Sequence, residues 1–373
     1  MNTSKDESDC YMKVHYNRLL SCMYIWGFVL LMVACQDNDN DPANQQPTEP
    51  TQPKTGISIV FSPQGLGDHA YNDLILKGAL EAQEEGNAEI TIYSPNTLDE
   101  GKAMIQGWLY WLLNNGSIDA IIIAGNEYEA SVREWIATEG NNIPDELFKK
   151  ILLFETASTD LPLYTFMINM YGASYIAGSI ATLFADSAAV IAANASDMSL
   201  KRNIDGFRDG FLENEGENIV TSYLAQDFNG YSMPQEAYQQ TDSLTNLNYR
   251  FIYPVAGGSN QGIYRYSREY PDRLYTAGMD VNLSAYSAHI TFSTVKRIDQ
   301  VVKQYINRLC SEGTFGDTLH TTYGIAERYA DIDWVEGYED SYKELINYYY
   351  PIVTEKEQEY EQNLAEEGGE NHE

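Results

Sequence analysis

The feature that most constrains the fold is a repeated alternation of short apolar runs with longer segments of helical period. From Gly56 onward, runs rich in β-branched residues, such as GISIVFS, DAIIIAG and KILLFE, are separated by stretches whose apolar residues recur every three to four positions. Continuous apolar runs are typical of parallel strands that are buried on both faces, with the intervening helices covering those faces. The sequence therefore predicts an α/β chain built on parallel sheets.

Individual strands and helices are located from this pattern. Further strands are predicted at EITIYS, AAVIAAN, IVTSYLA, RFIYPVAG and RLYTAGMD, and weaker strand patterns occur at HITFST and TTYGIA. Helices are predicted between them, for example over 71–85, 99–113, 175–184 and 294–309. In an open parallel sheet, ligands bind beyond the carboxyl ends of the strands, so the loops that follow the strands are the places to search for a site.

Charge and composition exclude several functions. The chain has 373 residues, 43% of them hydrophobic, so a sizeable core is expected. It carries 55 acidic and 23 basic residues, and the net charge of −32 would repel a nucleic acid. The strand-end loops are rich in Gly, Asn, Asp and aromatic residues, but they hold no Gly-x-Ser-x-Gly elbow and no His/Cys cluster with metal-ligand spacing. The sequence therefore predicts no enzyme, no cofactor and no metal site.

The N-terminal region has the pattern of an export signal. Basic residues precede an apolar run over 19–34, which is short for a membrane span and ends in a small residue before Cys35. The sequence MVAC resembles the lipobox of bacterial lipoproteins, which implies that residues 1–34 are a signal peptide and that Cys35 is lipidated and anchors the protein to a membrane. An uncleaved N-terminal anchor is the alternative, and translation from Met12 instead of Met1 also fits the pattern.

Two further segments are predicted to lie outside the folded body. Residues 35–55 are rich in proline and almost devoid of apolar side chains, which is typical of a disordered tether. The acidic residues after Cys35 resemble the export tag of some surface lipoproteins, so the periplasm and the cell surface both stay open as locations in the cell envelope. Residues 354–373 are predicted to form an acidic C-terminal tail, a frayed helix end without a function of its own.

A series of motifs connects the strand-end loops to a known family. GDHAYNDLILKGA resembles a first-loop motif Asp-Lys-Ser-Phe-Asn, with His69 for the lysine and Tyr71 for the phenylalanine. INMYGASYIAGSIA resembles a Glu-Ala-Ser-Tyr-Leu-Ala-Gly segment, with Gly172 for the glutamate, and NIDGFRDGF, VAGGSNQGIY, AGMD and TFSTVKRID follow in the same order. Over about residues 56–310, the chain thus resembles the basic membrane protein, or PnrA-like, family of substrate-binding lipoproteins.

The resemblance implies both a fold and a function. The fold is the type 1 periplasmic-binding fold, in which two Rossmann-like lobes with parallel sheets are joined by a three-segment hinge and hold ligand in the cleft between them. Lobe 1 is expected over 56–168 and 291–353, and lobe 2 over 169–290. The studied members bind nucleosides, so the implied function is the capture of a small ligand, first of all a purine nucleoside, for the permease of an ABC-type transporter.

The resemblance also implies which residues bind the ligand. Two aromatic residues of the family sandwich the base, which points to Tyr71 in lobe 1 and to Phe228 in lobe 2, with Tyr231 as the alternative to Phe228. A strand-end aspartate accepts hydrogen bonds from the ribose hydroxyls, which points to Asp280. Packing of Tyr71 on its loop, packing of Phe228 in the core and a capping role for Asp280 are the purely structural alternatives.

The other candidate ligand-binding residues are Asp68, Asn72, Asn126, Gly257, Gly258 and Lys296. Asp68 has a competing role as the N-cap of the first helix, and the glycine pair has one as a tight turn after a strand. Lys296 lies at a predicted helix start, where the helix dipole does not favour a cation. It is therefore expected to contact a buried acid or a ligand oxygen, with a surface salt bridge as the alternative.

Other functions stay open beside nucleoside binding. The departures from the family motif at His69, Tyr71 and Gly172 leave room for a sugar or another small metabolite on the same fold. The acidic, tyrosine-rich composition and the long tether are also compatible with a surface adhesin or scaffold. An enzyme is the least favoured hypothesis, because His69 beside Asp68 is expected to face solvent rather than to form a catalytic pair.

Overall fold

The computed structural model describes residues 54–334 and 339–370, apart from residues 87, 115 and 117. The predicted signal peptide, the predicted lipidation site at Cys35 and residues 35–53 of the predicted tether lie outside the described residues. Among the residues that are described, no helix is both long enough and apolar enough to cross a membrane.

The described residues alternate between strands and helices for most of their length. The strands are β1 Thr55–Val60, β2 Ala88–Tyr93, β3 Ala120–Ile123, β4 Ile151–Phe154, β5 Tyr164–Ile168, β6 Ser187–Asn194, β7 Asn218–Ala225, β8 Phe251–Val255, β9 Tyr275–Asp280, β10 Ile290–Lys296, β11 His320–Tyr323 and β12 Ala330–Trp334. The helices are α1 Tyr71–Glu84, α2 Leu98–Leu113, α3 Glu129–Glu139, α4 Asp145–Phe148, α5 Tyr171–Ala181, α6 Lys201–Glu213, α7 Pro234–Asn246, α8 Asn260–Glu269, α9 Ile298–Glu312 and α10 Glu339–Glu370.

The strands form two six-stranded sheets, one in each lobe. The sheet of lobe 1 has the order β11-β5-β4-β3-β1-β2, and all of its pairs are parallel. The sheet of lobe 2 has the order β12-β10-β9-β8-β6-β7, and only the β10–β12 pair is antiparallel. Strands β3, β4, β5 and β8 are buried along their whole length, which explains their uninterrupted apolar sequences. The predicted α/β class with parallel sheets is confirmed.

The chain passes between the lobes three times, but not at all of the predicted boundaries. It leaves lobe 1 after β5, returns between β10 and α9, and leaves again between β11 and β12. Residues 291–296 and 330–334, which were assigned to lobe 1 from the sequence, pair instead in the sheet of lobe 2. The apolar pattern identifies β10 as a strand, but sheet membership depends on pairing with strands far away in the sequence.

Two element boundaries also differ from the sequence prediction. Neither β5 nor β12 is predicted from the sequence, and α5, which follows β5, begins at Tyr171 rather than at residue 175. Only Asn169 and Met170 separate β5 from α5, and every residue of α5 is buried, so a single polar residue is all that interrupts the apolar pattern between strand and helix. The helix predicted over 294–309 starts at Ile298, because its first residues complete β10.

The C-terminal segment is a packed helix rather than the frayed tail that its composition predicts. In α10 the ring of Tyr360 stacks on Tyr171 of α5, with centroids 4.3 Å apart and an interplanar angle of 20°. Glu361 forms an ion pair with Arg202 of α6, with 2.6 Å between Oε1 and Nε. The side chain of Glu357 is buried and accepts hydrogen bonds from the backbone N–H groups of Gly172 in α5 and of Ile325 between β11 and β12. One face of this acidic segment therefore belongs to the body of lobe 2.

Candidate functional site

The carboxyl ends of strands from both sheets open onto one cleft between the lobes. All nine residues that the sequence predicts to bind ligand line this cleft, namely Asp68, Tyr71, Asn72, Asn126, Phe228, Gly257, Gly258, Asp280 and Lys296. They belong to the loops after β1, β3, β7 and β8, to the first turn of α1 and to the ends of β9 and β10. Residues up to 228 positions apart in the sequence meet here, because the carboxyl ends of parallel strands share one edge of a sheet.

The first loop is held in shape by Asp68. Its carboxylate accepts hydrogen bonds from the backbone N–H groups of Ala70, Asn72 and Asp73, at 2.8–3.2 Å, and so satisfies free donors of the first turn of α1. The residue directly before the helix is Ala70, so Asp68 caps the turn from two positions further upstream. The side chain of His69 is 70% exposed and lies 3.8 Å from Asp73, which leaves it facing solvent.

Tyr71 and Asn72 present polar atoms to the cleft that have no partner within the described residues. Asn72 is only 3% exposed, and its Nδ2 donates to Asp68 at 3.0 Å, while its Oδ1 accepts no hydrogen bond. The hydroxyl of Tyr71 is also buried and unpaired. Burial raises the pKa of Tyr71 well above its ordinary value, and the nearby acids Glu155 and Glu127 add to this effect. Tyr71 therefore stays protonated at neutral pH, and its hydroxyl can donate a hydrogen bond to a ligand.

Lys296 pairs with a buried acid, as one of the two predicted alternatives requires. Its Nζ lies 2.9 Å from Oε2 of Glu155, and the two side chains are only 13% and 10% exposed. The same ammonium lies 5.6 Å above the ring of Tyr71, within the range of a cation–π contact. The surface salt bridge that the sequence left open is therefore wrong, since both partners are removed from solvent.

Asp280 and Glu155, which both line the cleft, have an unusual backbone conformation. Asp280 ends β9 and Glu155 directly follows β4. Their φ angles are positive, 67° for Asp280 and 57° for Glu155, and lie in the left-handed region that non-glycine residues seldom adopt. Burial raises the pKa of Asp280 to about 6, although the cation of Lys296 opposes this shift. The oxygen Oε1 of Glu155 has no hydrogen-bond partner among the described residues.

Lobe 2 contributes a pair of aromatic rings. Phe228 and Tyr231 belong to a short 3-10 turn after β7, and their rings stack with centroids 6.1 Å apart and an interplanar angle of 15°. The hydroxyl of Tyr231 donates to Oδ2 of Asp197 at 2.6 Å, whereas Phe228 carries no polar group. Gly257 has φ = 53°, and a Cβ there would lie 2.8 Å from the ring of Tyr231, so this glycine both turns the chain and makes room for the ring.

Direct hydrogen bonds join the two lobes across the cleft. Asn126 of lobe 1 donates from Nδ2 to Oδ1 of Asp197 in lobe 2 at 3.1 Å. Gln64 of lobe 1 donates to the backbone carbonyl of Phe228 in lobe 2 at 3.4 Å. Together with the Lys296–Glu155 pair, these contacts connect the two lobes across the cleft.

Three acids of the cleft were missed by the sequence analysis. Asp197 follows β6, Glu155 follows β4, and Glu127 follows β3 next to the predicted Asn126. Each directly follows or lies close behind a strand end, which is the signal that could have identified them. The sequence pattern marks many polar residues in such loops, however, and only the fold shows which of them turn inward.

Unpaired polar atoms concentrate in this cleft. Four of the buried side-chain atoms without a hydrogen-bond partner in the described part of the chain line it: the Tyr71 hydroxyl, Asn72 Oδ1, Glu127 Oε1 and Glu155 Oε1. A buried polar atom without a partner costs about 1–3 kcal/mol, so native proteins seldom retain several in one place. The arrangement is suited to a ligand that offers several hydrogen-bond donors and at least one acceptor.

The pKa of Glu127 predicts one component of the pH dependence of folding. Burial raises this pKa from 4.5 to about 7, against an opposing hydrogen bond from Ser62, and the charge of Asp197 raises it further. Between these values the folded protein holds a proton that the unfolded chain releases, so this contribution to stability is fully present below pH 4.5 and is lost as the pH rises through 7.

Glu127→Gln should remove this part of the decline in the free energy of unfolding with rising pH. The measurement is the free energy of unfolding at intervals between pH 4.5 and 8 for the wild type, Glu127→Gln and Glu134→Gln, which changes an exposed acid of α3. Glu134→Gln should keep the wild-type slope. An unchanged slope in Glu127→Gln would contradict the raised pKa.

Comparison with known proteins places this architecture in a family. The family model for ABC transporter substrate-binding proteins of the PnrA-like type, Bmp, matches residues 57–365. No curated protein matches the chain.

Solved structures similar to this chain share its two-lobed fold. An ABC transporter solute-binding protein from Aeropyrum pernix K1 superposes with a TM-score of 0.64 at 17% identity, over 82% of this chain and 86% of that one. A transcriptional activator of the comK gene from Bacillus halodurans gives 0.61 at 16% identity, over 82% and 98%. GanP, a glucose-galactose binding protein from Geobacillus stearothermophilus, gives 0.57 at 15% identity, over 76% and 98%. At these identities the likeness shows the fold and not the ligand.

The family match supplies what the fold alone leaves open, since similar structures include both transporter proteins and transcription factors. It covers the strands and helices of both lobes, including most of α10. The role of this family is to bind a transported substrate rather than to convert it. The chain therefore belongs to the PnrA-like family of ABC transporter substrate-binding proteins and has the two-lobed type 1 periplasmic-binding fold.

Proposed function

We propose that this protein captures a nucleoside, with purine nucleosides first, in the cleft between its lobes and delivers it to the permease of an ABC transporter. The observation that carries the proposal is the cluster of four unpaired buried polar atoms on the cleft wall. Three of them are acceptors and one is the donor Tyr71 hydroxyl. The hydroxyls of a ribose and the polar edge of a base match such a set, because together they supply several donors and some acceptors.

The apolar part of the cleft supports the same ligand class. Tyr71 from lobe 1 and Phe228 from lobe 2 both line it, and Val255 and Met279 add apolar surface. A flat base held between two aromatic rings, with a sugar held by carboxylates such as Asp280, would use both kinds of surface. Closure of the lobes would then enclose the ligand, with the Asn126–Asp197 hydrogen bond as part of the closed state.

The ligand assignment is tested by isothermal titration calorimetry against a panel of purine and pyrimidine nucleosides, with nucleobases and free ribose as fragments. Micromolar or tighter binding of purine nucleosides, and much weaker binding of either fragment, is expected. No binding of any nucleoside at millimolar concentration would reject the assignment.

Tyr71→Ala should weaken nucleoside binding by about tenfold to a hundredfold, since stacking on an aromatic side chain contributes about 1–3 kcal/mol per base. The affinity is measured by the same calorimetry. Tyr110→Ala, which removes an exposed tyrosine of α2 outside the cleft, is the matched control and should bind as the wild type does. Equal affinity in Tyr71→Ala and the wild type would remove Tyr71 from the site.

A sugar or another polyhydroxylated metabolite is the second candidate. Two proteins of similar fold support it, since one is a glucose-galactose binding protein and another is a carbohydrate transporter solved in complex with myo-inositol. The unpaired acceptors of the cleft suit sugar hydroxyls as well as those of ribose. If hexoses or inositol raise the melting temperature and nucleosides do not, the sugar hypothesis replaces the nucleoside one.

We further propose that Cys35 carries the lipid that anchors the protein outside the cytoplasm. The support is the lipobox-like MVAC sequence and the polar segment that follows it. Cys35→Ala should move the protein from the membrane fraction to the soluble fraction after export. Retention in the membrane fraction would favour an uncleaved N-terminal anchor.

A further inference from the structure

The position of the Glu127 side chain in the cleft depends on Gly125, two residues earlier in the chain. It lies in the 3-10 turn Asn126–Tyr128 that follows β3, and its carboxylate folds back over Gly125. A Cβ on Gly125 would lie only 2.2 Å from Oε2 of Glu127, so any larger residue would displace this carboxylate. Glycine is needed at position 125 for steric reasons only, because the backbone there is extended, a conformation that every residue can adopt.

The groups that face Glu127 do not neutralise it. Asp197 of lobe 2 is an acid, Ser62 offers a hydroxyl, and the pKa values of Tyr71 and Tyr231 are raised in part by the charge of Glu127. No residue that the structure describes forms an ion pair with Glu127, and its Oε1 is buried without a hydrogen-bond partner.

Glu127 differs from the neighbouring acids, which either accept several hydrogen bonds or lie beside the cation of Lys296. Asp68 accepts three backbone N–H groups, and Asp197 accepts Asn126, Tyr231 and the backbone N–H of Ser199. Glu155 and Asp280 share the charge of Lys296, and the two arginines that also line the cleft, Arg133 and Arg202, pair with Glu129 and Glu361 instead. Glu127 thus lies close enough to the carboxylate of Asp197 to feel its charge, and it forms no ion pair with any described residue.

We propose that Glu127 selects ligands that carry an amino group and receives that group in the closed cleft. The inference rests on the proposed function and names a chemical feature of its ligand. A hydroxyl would bring an oxygen lone pair towards Asp197 along with its single proton. An amino group that is protonated, or conjugated with an aromatic ring, has at least two N–H donors and no strong acceptor, so it can lie between two acidic groups without repulsion.

The protonation of Glu127 agrees with this role. With a pKa of about 7, close to half of the free carboxyl groups carry a proton at neutral pH. An N–H donor stabilises the ionised form, so binding of an amino ligand should release protons to the solvent. Calorimetry in buffers of different ionisation enthalpy measures that release.

The test uses pairs of ligands that differ only by an amino group. Adenosine and purine riboside are the nucleoside pair, and glucosamine and glucose are the sugar pair. In the class that binds, the wild type should prefer the amino member by about tenfold or more, in line with a hydrogen bond to a charged group. Glu127→Leu should reduce the preference to within about twofold, and the control Glu134→Gln should keep it.

Gly125→Ala provides a second variant that keeps the acid but displaces it. It should lose the preference as Glu127→Leu does, while its melting temperature shows whether it still folds. Equal affinities within a pair in the wild type, or a full preference in Glu127→Leu, would overturn the inference and leave the proposed cleft function standing. If none of the four ligands nor any other nucleoside or sugar binds, the proposed function fails and this inference fails with it.

Discussion

Lys296→Met should lower the free energy of unfolding at pH 7 by about 3–5 kcal/mol. The substitution keeps most of the apolar stem of the side chain but removes the ammonium group that faces Glu155 and Asp280. When one partner of a buried ion pair is removed, the other keeps an uncompensated charge in surroundings that solvate it poorly. The measurement is equilibrium unfolding in urea at pH 7 without ligand. A second series at pH 5 should show a smaller loss, since Asp280, whose pKa already stands at about 6, then carries a proton.

Lys303→Met is the matched control for this variant. Lys303 of α9 pairs with Glu85 at 2.8 Å and Glu81 at 3.5 Å on the surface of lobe 1, where solvent screens the charges. Exposed pairs contribute about 0–1 kcal/mol, so this variant should remain close to the wild type. If Lys296→Met and Lys303→Met lose the same stability, the pair in the cleft is not buried in solution as the structure has it.

Glu357→Ala should lower the free energy of unfolding by about 2–4 kcal/mol. The carboxylate of Glu357 accepts hydrogen bonds from the backbone N–H of Gly172 at 2.8 Å and from that of Ile325 at 3.0 Å. Gly172 lies in the first turn of α5, directly after the first of the segments that pass between the lobes, and Ile325 lies in the third of these segments. Without the carboxylate, both N–H donors stay buried and unpaired, which costs about 1–3 kcal/mol of stability for each of them. Water that enters the vacated space would reduce this loss.

Glu355→Ala is the control for this second variant, because Glu355 lies on the exposed face of the same helix. It should change stability by less than about 0.5 kcal/mol, as surface substitutions usually do. Urea unfolding at pH 6 and pH 8 measures both variants. Burial raises the pKa of Glu357 to about 7, so its protonated form adds stability below that pH, and the loss in Glu357→Ala should be larger at pH 6 than at pH 8. A loss equal to that of Glu355→Ala would mean that α10 does not hold these segments.

Lys296→Met and Glu357→Ala also distinguish residues that line the cleft from residues that only hold the segments between the lobes. Lys296 and Glu155 come from different lobes and lie in the cleft, so Lys296→Met should also weaken ligand binding. Glu357 does not line the cleft, so any change in affinity in Glu357→Ala would act through the segments that it holds.

Much of the fold was predictable because its signals are local. Strands such as β3 and β4 carry uninterrupted apolar sequences since both of their faces are buried, and α1 follows the helical period to within one residue of its predicted end. Strand β5 was missed for a local reason too, because the buried helix α5 continues its apolar pattern. Where two buried elements adjoin, periodicity cannot separate them.

The candidate site was partly predictable for the same reason. The nine predicted residues converge on one cleft because each lies at or just beyond a strand end, and a parallel fold brings such ends together. That they bind the ligand stays a prediction. Glu127, Glu155 and Asp197 occupy equivalent positions and were not selected, because nothing in their local sequence distinguishes an inward carboxylate from a solvated one.

By itself, the sequence determined the α/β class, the parallel sheets, the family and the loops that form the cleft. These properties follow from periodicity, strand-end position and short motifs, all of which are written in neighbouring residues. The tertiary structure alone decided that β10 and β12 join lobe 2, that α10 packs on α5, and that Lys296 pairs with Glu155, 141 positions away. It also decided that Glu127 forms no ion pair and leaves its Oε1 without a hydrogen-bond partner among the described residues, since the environment of a charge is set by groups from distant parts of the chain.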